Sequence, residues 1–233
     1  MEKTVDGVRF EYEMCRGSRP TVLFLHGWGG SLKSFAGAYE RVCDLGYGAV
    51  NFAFPVDMPS DWGIYDYAAH VRAFMENAEI EKPVVVGHSF GGRVGLILAS
   101  QGLCEKLVLT DSAGLKPRFS LKKKIRIAKY HSMVKRGKPL DGLGSVDYNN
   151  MREDKRGVFV RVVNTHLDKL LGYIDCPTLI VWGKKDKDTP PYMAKRLHRG
   201  IADSRLVFLD GGHYSYLDSP YGFFQSLKDF LAE

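Results

Sequence analysis

Residues 84–92, VVVGHSFGG, leave the chain few paths to follow. Val84, Val85 and Val86 form a β-branched run suited to a strand, and Val94, Leu96, Ile97 and Leu98 continue as an apolar helical pattern. Between them Gly87, Ser89 and Gly91 make a G-x-S-x-G, which reads as a sharp strand-to-helix turn. A serine at such a turn takes a strained backbone conformation so that its hydroxyl stands clear of the sheet. The residues two before and two after it must be small, because strand and helix converge there, and both are glycine. Ser89 is therefore a candidate nucleophile.

The rest of the chain repeats this layout. TVLFL (21–25), AVNFAF (49–54), KLVLT (106–110), TLIVW (178–182) and RLVFL (205–209) are short apolar runs of the kind expected for strands covered on both faces. Helical spacing separates them over Ser31–Val42, Tyr65–Ala78 and Met193–His198, and a last helix runs through Phe223, Phe224, Leu227, Phe230 and Leu231. Residues 5–15 carry a D-G turn and an alternation suited to a strand that starts the sheet. Alternating strands and helices predict an α/β fold, a mostly parallel central sheet flanked by helices. Residues 115–172 interrupt the alternation. Leu121, Ile125, Ala128 and Ser132–Val134, then Val158–Leu171, recur near helical spacing. The expectation is a small helical lid over 115–172, jointed at Gly137-Lys138-Pro139 and 140–144, on a core of 1–114 and 173–233.

A 233-residue chain with 45% hydrophobic content can bury one sizeable core. The net charge of +6 is local. Ten Lys and Arg and no acid lie between Lys116 and Lys138, and without them 23 basic residues face 27 acidic ones. This stretch reads as a solvated face; attraction of an anionic substrate or contact with an anionic membrane surface is the sharper alternative. Nucleic acid is disfavoured, since no aromatic stacking series accompanies the charges. The start has no apolar signal region and no run reaches membrane-spanning length, so a cytoplasmic protein is expected. Cys15, Cys43, Cys104 and Cys176 are scattered, without metal spacing, and are expected to be reduced.

Three further stretches bear on chemistry. After TVLFL comes His26-Gly27-Trp28-Gly29-Gly30, whose glycines let the backbone point the N–H of Trp28 into a cleft. Together with the N–H of Phe90, just after Ser89, it would make a two-donor oxyanion hole; His26 is given a structural role. After TLIVW comes GKKDKDTPP, where Asp186, preferred to Asp188, sits just past a strand end as an orienting carboxylate. After RLVFL comes Asp210-Gly211-Gly212-His213, whose glycines let the loop carry His213 back over the nucleophile's turn as general base. Asp111, also at a strand end, is read as structural in preference to catalytic, and His70, His131, His166 and His198 as solvated or packing residues.

HGWGG, GHSFGG, WGKKDKDTP and DGGHYSYLDSP, in that order, resemble the α/β-hydrolase fold superfamily over nearly the whole chain. The order Ser89, Asp186, His213 is that superfamily's order of nucleophile, acid and base. The nearest resemblance is to small lid-bearing serine carboxylesterases and C–C bond hydrolases. It implies an acyl-enzyme route to hydrolysis of a small to medium ester or thioester, with no cofactor or metal. The alternatives are a C–C bond hydrolase or lyase using the same residues, and a ligand-binding homologue of weak activity. Where many relatives have D-x-x-G-x-G-x-S, this chain has PVDMPSDWG, so a pocket wall is expected to differ. Serine at 89 also separates it from relatives that use aspartate or cysteine there.

Overall fold

The structure is a computed structural model that describes residues 1–5, 7–55, 57–119, 125, 132–133, 135–136 and 152–233. Each predicted apolar run is a strand: β3 (Arg19–Leu25), β4 (Tyr47–Ala53), β5 (Val84–His88), β6 (Lys106–Thr110), β7 (Thr178–Gly183) and β8 (Ser204–Leu209). β1 (Glu2–Val5) and β2 (Val8–Cys15) pair as a hairpin, with Gly7 between them at φ 77°. The eight strands lie in the order β1-β2-β4-β3-β5-β6-β7-β8. All pairs from β4 to β8 are parallel, and the hairpin adds on antiparallel at the β4 edge.

Side chains alternate across the sheet and build a core on each face. Leu23, Leu25, Val85, Ile180 and Trp182 face α2 (Ile64–Asn77), α3 (Phe90–Ser100) and α5 (Tyr192–Gly200). Val22, Phe24, Val84, Val86, Leu179 and Val181 face α1 (Ala36–Asp44), α6 (Ser215–Asp218) and α7 (Pro220–Ala232). Every residue of β5 is buried, so the turn after it leaves the middle of the sheet. The register aligns Gly87 with Leu25, which brings the loops after β3 and β5 side by side.

Two expectations are corrected in detail. Ser31–Val42 is not one helix: Ser31 caps a 3₁₀ turn, Leu32–Ser34, and α1 starts anew at Ala36. The pattern over Val158–Leu171 is served by two pieces, α4 (Arg156–Asn164) and a 3₁₀ helix Asp168–Tyr173, and Val158, Val162, Leu167 and Leu171 are all buried. Of the first helical pattern Ile125, Ser132 and Met133 are helical, with Ile125 exposed, while Leu121, Ala128, Val134, the joint at 137–144 and most of the basic stretch lie outside the described residues.

The cysteine expectation fails for one pair. Cys15 at the end of β2 and Cys43 in α1 form a disulfide, while Cys104 and Cys176 are free thiols. Spacing could not show it, because the two meet only after β2 pairs with β4 and α1 packs beside that strand.

Candidate active site

The backbone at Ser89 has φ 47° and ψ −104°, a left-handed conformation that costs on the order of 1–3 kcal/mol for a non-glycine residue. Tight glycine contacts hold it there. A Cβ on Gly91 would lie 2.0 Å from the Leu25 carbonyl oxygen, and one on Gly87 2.6 Å from that of Gly91. Gly91 N–H donates to His26 O at 3.1 Å and Ser89 N–H to Thr110 O at 3.2 Å, so strands β3 and β6 grip the turn from both sides.

The structure brings Ser89, His213 and Asp186 into one hydrogen-bonded chain across 124 and 27 residues of sequence. Ser89 Oγ lies 2.9 Å from His213 Nε2, and His213 Nδ1 lies 2.9 Å from Asp186 Oδ2. With Nδ1–H donating to the carboxylate, Nε2 is free to accept the serine proton. Asp186 is buried and Asp188 exposed. Asp186 Oδ1 accepts from the N–H groups of Asp188 and Thr189 at 2.8 and 3.0 Å, and Oδ2 from the Thr189 hydroxyl at 2.6 Å. Burial favours the neutral acid, but the bonds from His213 and Thr189 outweigh it and hold the Asp186 pKa below its usual range. Burial likewise favours neutral His213. The hydrogen bond and charge of Asp186, with the charges of Asp188 and Asp111, outweigh it and raise the His213 pKa.

Trp28 and Phe90 line the same cavity as Ser89 and His213, and their rings meet edge to face at 5.0 Å. Phe90 opens α3, where an N–H has no helical acceptor, and Gly30 N–H bonds back to Gly27 O around Trp28. His26 is buried: Nδ1 donates to Gly27 O at 2.7 Å and Nε2 accepts from Phe54 N–H at 3.1 Å, tying the ends of β3 and β4. Burial lowers its pKa to about 4, which keeps the ring neutral for both bonds. His70 packs among Phe10 and Trp62, and His166 is exposed; His131 lies outside the described residues.

Three supporting residues escape sequence reasoning. His88 Nε2 donates to the carbonyl of His213 at 2.7 Å, and burial lowers its pKa to about 3. Trp182 Nε1 donates to Thr189 O at 2.7 Å, fixing the turn that holds Asp186. Arg93, one turn after Ser89 on α3, is buried and donates to Val162 O at 2.9 Å, Thr165 O at 2.7 Å and Val163 O at 3.4 Å at the end of α4. Burial lowers its pKa to about 10, well above neutrality, so it stays a cation against the negative end of the helix. Only the position of Arg93, four residues after the nucleophile, hinted at a role. The cavity measures about 410 Å³ and is walled by Trp28, Leu115, Phe159 and Met193 together with the polar Arg93, Asp188 and His213. One carboxylate oxygen each of Asp186 and Asp188 and a ring nitrogen of His213 come within 4.8 Å of one another, and the Asp186–His213 hydrogen bond accounts for the closeness of those two.

Comparison with known proteins agrees with this architecture. A relative, the uncharacterised hydrolase YugF of Bacillus subtilis (strain 168), is 27% identical over 98% of this chain and 96% of its own. A 2-hydroxy-6-oxononadienedioate/2-hydroxy-6-oxononatrienedioate hydrolase of Klebsiella pneumoniae is 26% identical over 97% of this chain and 91% of its own. Among solved structures, an esterase from Exiguobacterium antarcticum superposes with a TM-score of 0.78 at 22% identity, covering 98% of this chain and 97% of the other. A sequence model of the Alpha/beta hydrolase family matches residues 22–225, and the chain belongs to that family.

Proposed function

We propose that the protein is a serine hydrolase that cleaves a carboxylic ester or thioester of a small to medium acyl group through an acyl-enzyme. The observation that carries this reading is the chain from Ser89 Oγ through His213 to Asp186, 2.9 Å at each step, opening on a cavity of about 410 Å³ with both apolar and polar walls. Ser89 attacks the acyl carbonyl while His213 Nε2 takes its proton; Asp186 holds the ring orientation and stabilises the imidazolium. The tetrahedral oxyanion is met by the N–H groups of Trp28 and Phe90. The imidazolium then protonates the leaving alcohol or thiol, and water, deprotonated by the same imidazole, releases the acid. The apolar walls suit an acyl chain, since burying each methylene stabilises binding by about 0.8 kcal/mol.

Alanine at position 89 removes the nucleophile. Turnover of p-nitrophenyl butyrate by Ser89→Ala is expected to fall on the order of 10⁶-fold, with the circular dichroism of the parent retained. Substantial turnover by the folded variant, or failure of a fluorophosphonate to label Ser89 in the parent, would overturn the assignment. A second reading, hydrolysis of a C–C bond by the same residues, is favoured by the Klebsiella relative. Preference for a vinylogous diketone over every ester in a chain-length series would select it. Among the described residues no helix is long and apolar enough to cross a membrane. A cytoplasmic place of action is part of the proposal, and the Cys15–Cys43 bond bears against it, because cytosolic thiol pools keep such pairs reduced. Alkylation of cysteines in intact cells followed by mass spectrometry decides between them.

A further inference from the structure

Behind Asp186 and His213 lies a second buried carboxylate. Asp111 directly follows β6, is fully buried, and takes φ 46°, left-handed backbone for a residue with a side chain. Among the described residues the donors to its carboxylate are neutral and come from the end of β7, the start of α6 and the neighbouring Thr110. Oδ1 accepts from the N–H of Gly183 at 2.7 Å. Oδ2 accepts from the N–H and hydroxyl of Ser215 at 3.0 and 2.6 Å, with Thr110 Oγ1 at 3.4 Å. Gly183 ends β7 three residues before Asp186, and Ser215 stands two residues after His213. The Thr189 hydroxyl that binds Asp186 also lies 3.1 Å from the Asp111 carbonyl oxygen.

Burial pushes the Asp111 pKa up to about 6, and the bonds from Ser215 and Gly183 offset only part of that penalty. A buried charge without a counter-ion is a poor choice for stability alone, where a neutral side chain of similar shape does as well or better. Its placement makes sense if both loops must end in one fixed geometry. We propose that Asp111 is a positioning residue of this hydrolase: its carboxylate ties the segments bearing Asp186 and His213 to the end of β6. The inference rests on the serine-hydrolase reading. No hydrogen bond joins Asp111 to His213, so it acts through Gly183 and Ser215. The groups facing His213 are Asp186 and Asp188 from the loop after β7, Asp111 from the end of β6, the neutral ring of His88 from β5, and Tyr214. Those facing Asp111 are Asp186, Thr189 and Thr110, with Ser215 and Tyr216 of α6.

Asp111→Asn tests this directly. Both carboxylate oxygens accept from backbone N–H groups, and an amide has only one oxygen, so either loop must lose its bond. Expected is a fall in kcat/KM for p-nitrophenyl acetate of about ten- to a hundredfold, the scale of a misplaced reacting group, carried by kcat more than KM. Ser215→Ala, which keeps both backbone bonds, should lower kcat by about twofold to fivefold with KM unchanged, on the scale of one neutral hydrogen bond. Asp111→Asn with kcat/KM within about twofold of the parent, or with its loss carried by KM alone, would overturn the proposal. Should that variant not fold, as judged by circular dichroism, Ser215→Ala decides: parental kcat overturns, a lowered kcat with parental KM supports. Fluorophosphonate labelling of Ser89 in the parent keeps the two ideas apart. No labelling defeats the hydrolase reading, whereas normal labelling with an indifferent Asp111→Asn defeats only the role of Asp111.

Discussion

The turn at Ser89 and helix α4 border the same cavity and are held by opposite means. At the turn, backbone meets backbone: Gly87 and Gly91 sit where a single Cβ would collide with a main-chain oxygen. At α4, contact is made by long side chains reaching for carbonyls. Arg93 binds the end of the helix from inside, while Lys155 reaches Met58 O and Arg161 reaches Trp62 O and Ser60 O from outside. The first arrangement has almost no slack, because interiors packed at crystal density yield little. The second can shift by a change of rotamer. Ser89 stands on the unyielding side, and the Phe159–Val162 wall of the cavity stands on the adjustable one.

The contrast can be attacked in order of expected effect. Gly91→Ala forces the Leu25 carbonyl away and should lower unfolding free energy by about 3 kcal/mol or more, read from urea melts. A loss below about 1 kcal/mol would show more give at the turn than the contacts allow. The pH profile probes the same side. His213 must be neutral to act as base and its pKa is raised above 6.5, so kcat/KM should fall about tenfold per pH unit below an inflection above 6.5. The same shift makes a protonated His213 stabilising. That contribution is complete below pH 6.5 and is lost as pH rises through the folded-state value, so the active form is the less stable one. An inflection below 6.5 would show that the neighbouring carboxylates do not govern the ring.

On the adjustable side, Arg93→Met leaves the last carbonyls of α4 without their donor. The ratio of kcat/KM for p-nitrophenyl octanoate to that for acetate should change by about tenfold, equivalent to ~1.4 kcal/mol, as Val162 and Phe159 reposition. An unchanged chain-length profile would mean that α4 is held elsewhere. The smallest effect belongs to Arg152, which pairs with Asp57 and Asp154 in full solvent. Exposed ion pairs of this kind add little, so Arg152→Ala should keep the parent's urea midpoint and chain-length profile.

The legible parts of this molecule were those whose physics is local. A turn that needs glycine on both sides of a serine announces itself in five residues, and apolar runs of strand length announce a covered sheet. Asp186 and His213 could be picked out because each follows such a run within a few residues of turn-forming glycine or proline. What could not be read depends on meetings across the fold. Arg93 finds Val162 and Thr165 some seventy residues away, His88 finds the carbonyl of residue 213, and Cys15 finds Cys43 only after the hairpin has paired. Asp111 shows the limit well. Its place at a strand end was visible, but the two loops that converge on its carboxylate were not.

That sulfur bridge encircles more than a strand and a helix. The 28 residues it spans include all of β3 and His26-Gly27-Trp28-Gly29-Gly30, so the segment offering the Trp28 N–H lies on a closed covalent loop. In the chain-entropy account, a ring of that size restrains the unfolded ensemble by about 3–4 kcal/mol. Whether the Trp28 segment stays in place under stress would then depend on the thiol chemistry of the surroundings, decided toward the rim of the sheet and away from the Ser89 turn.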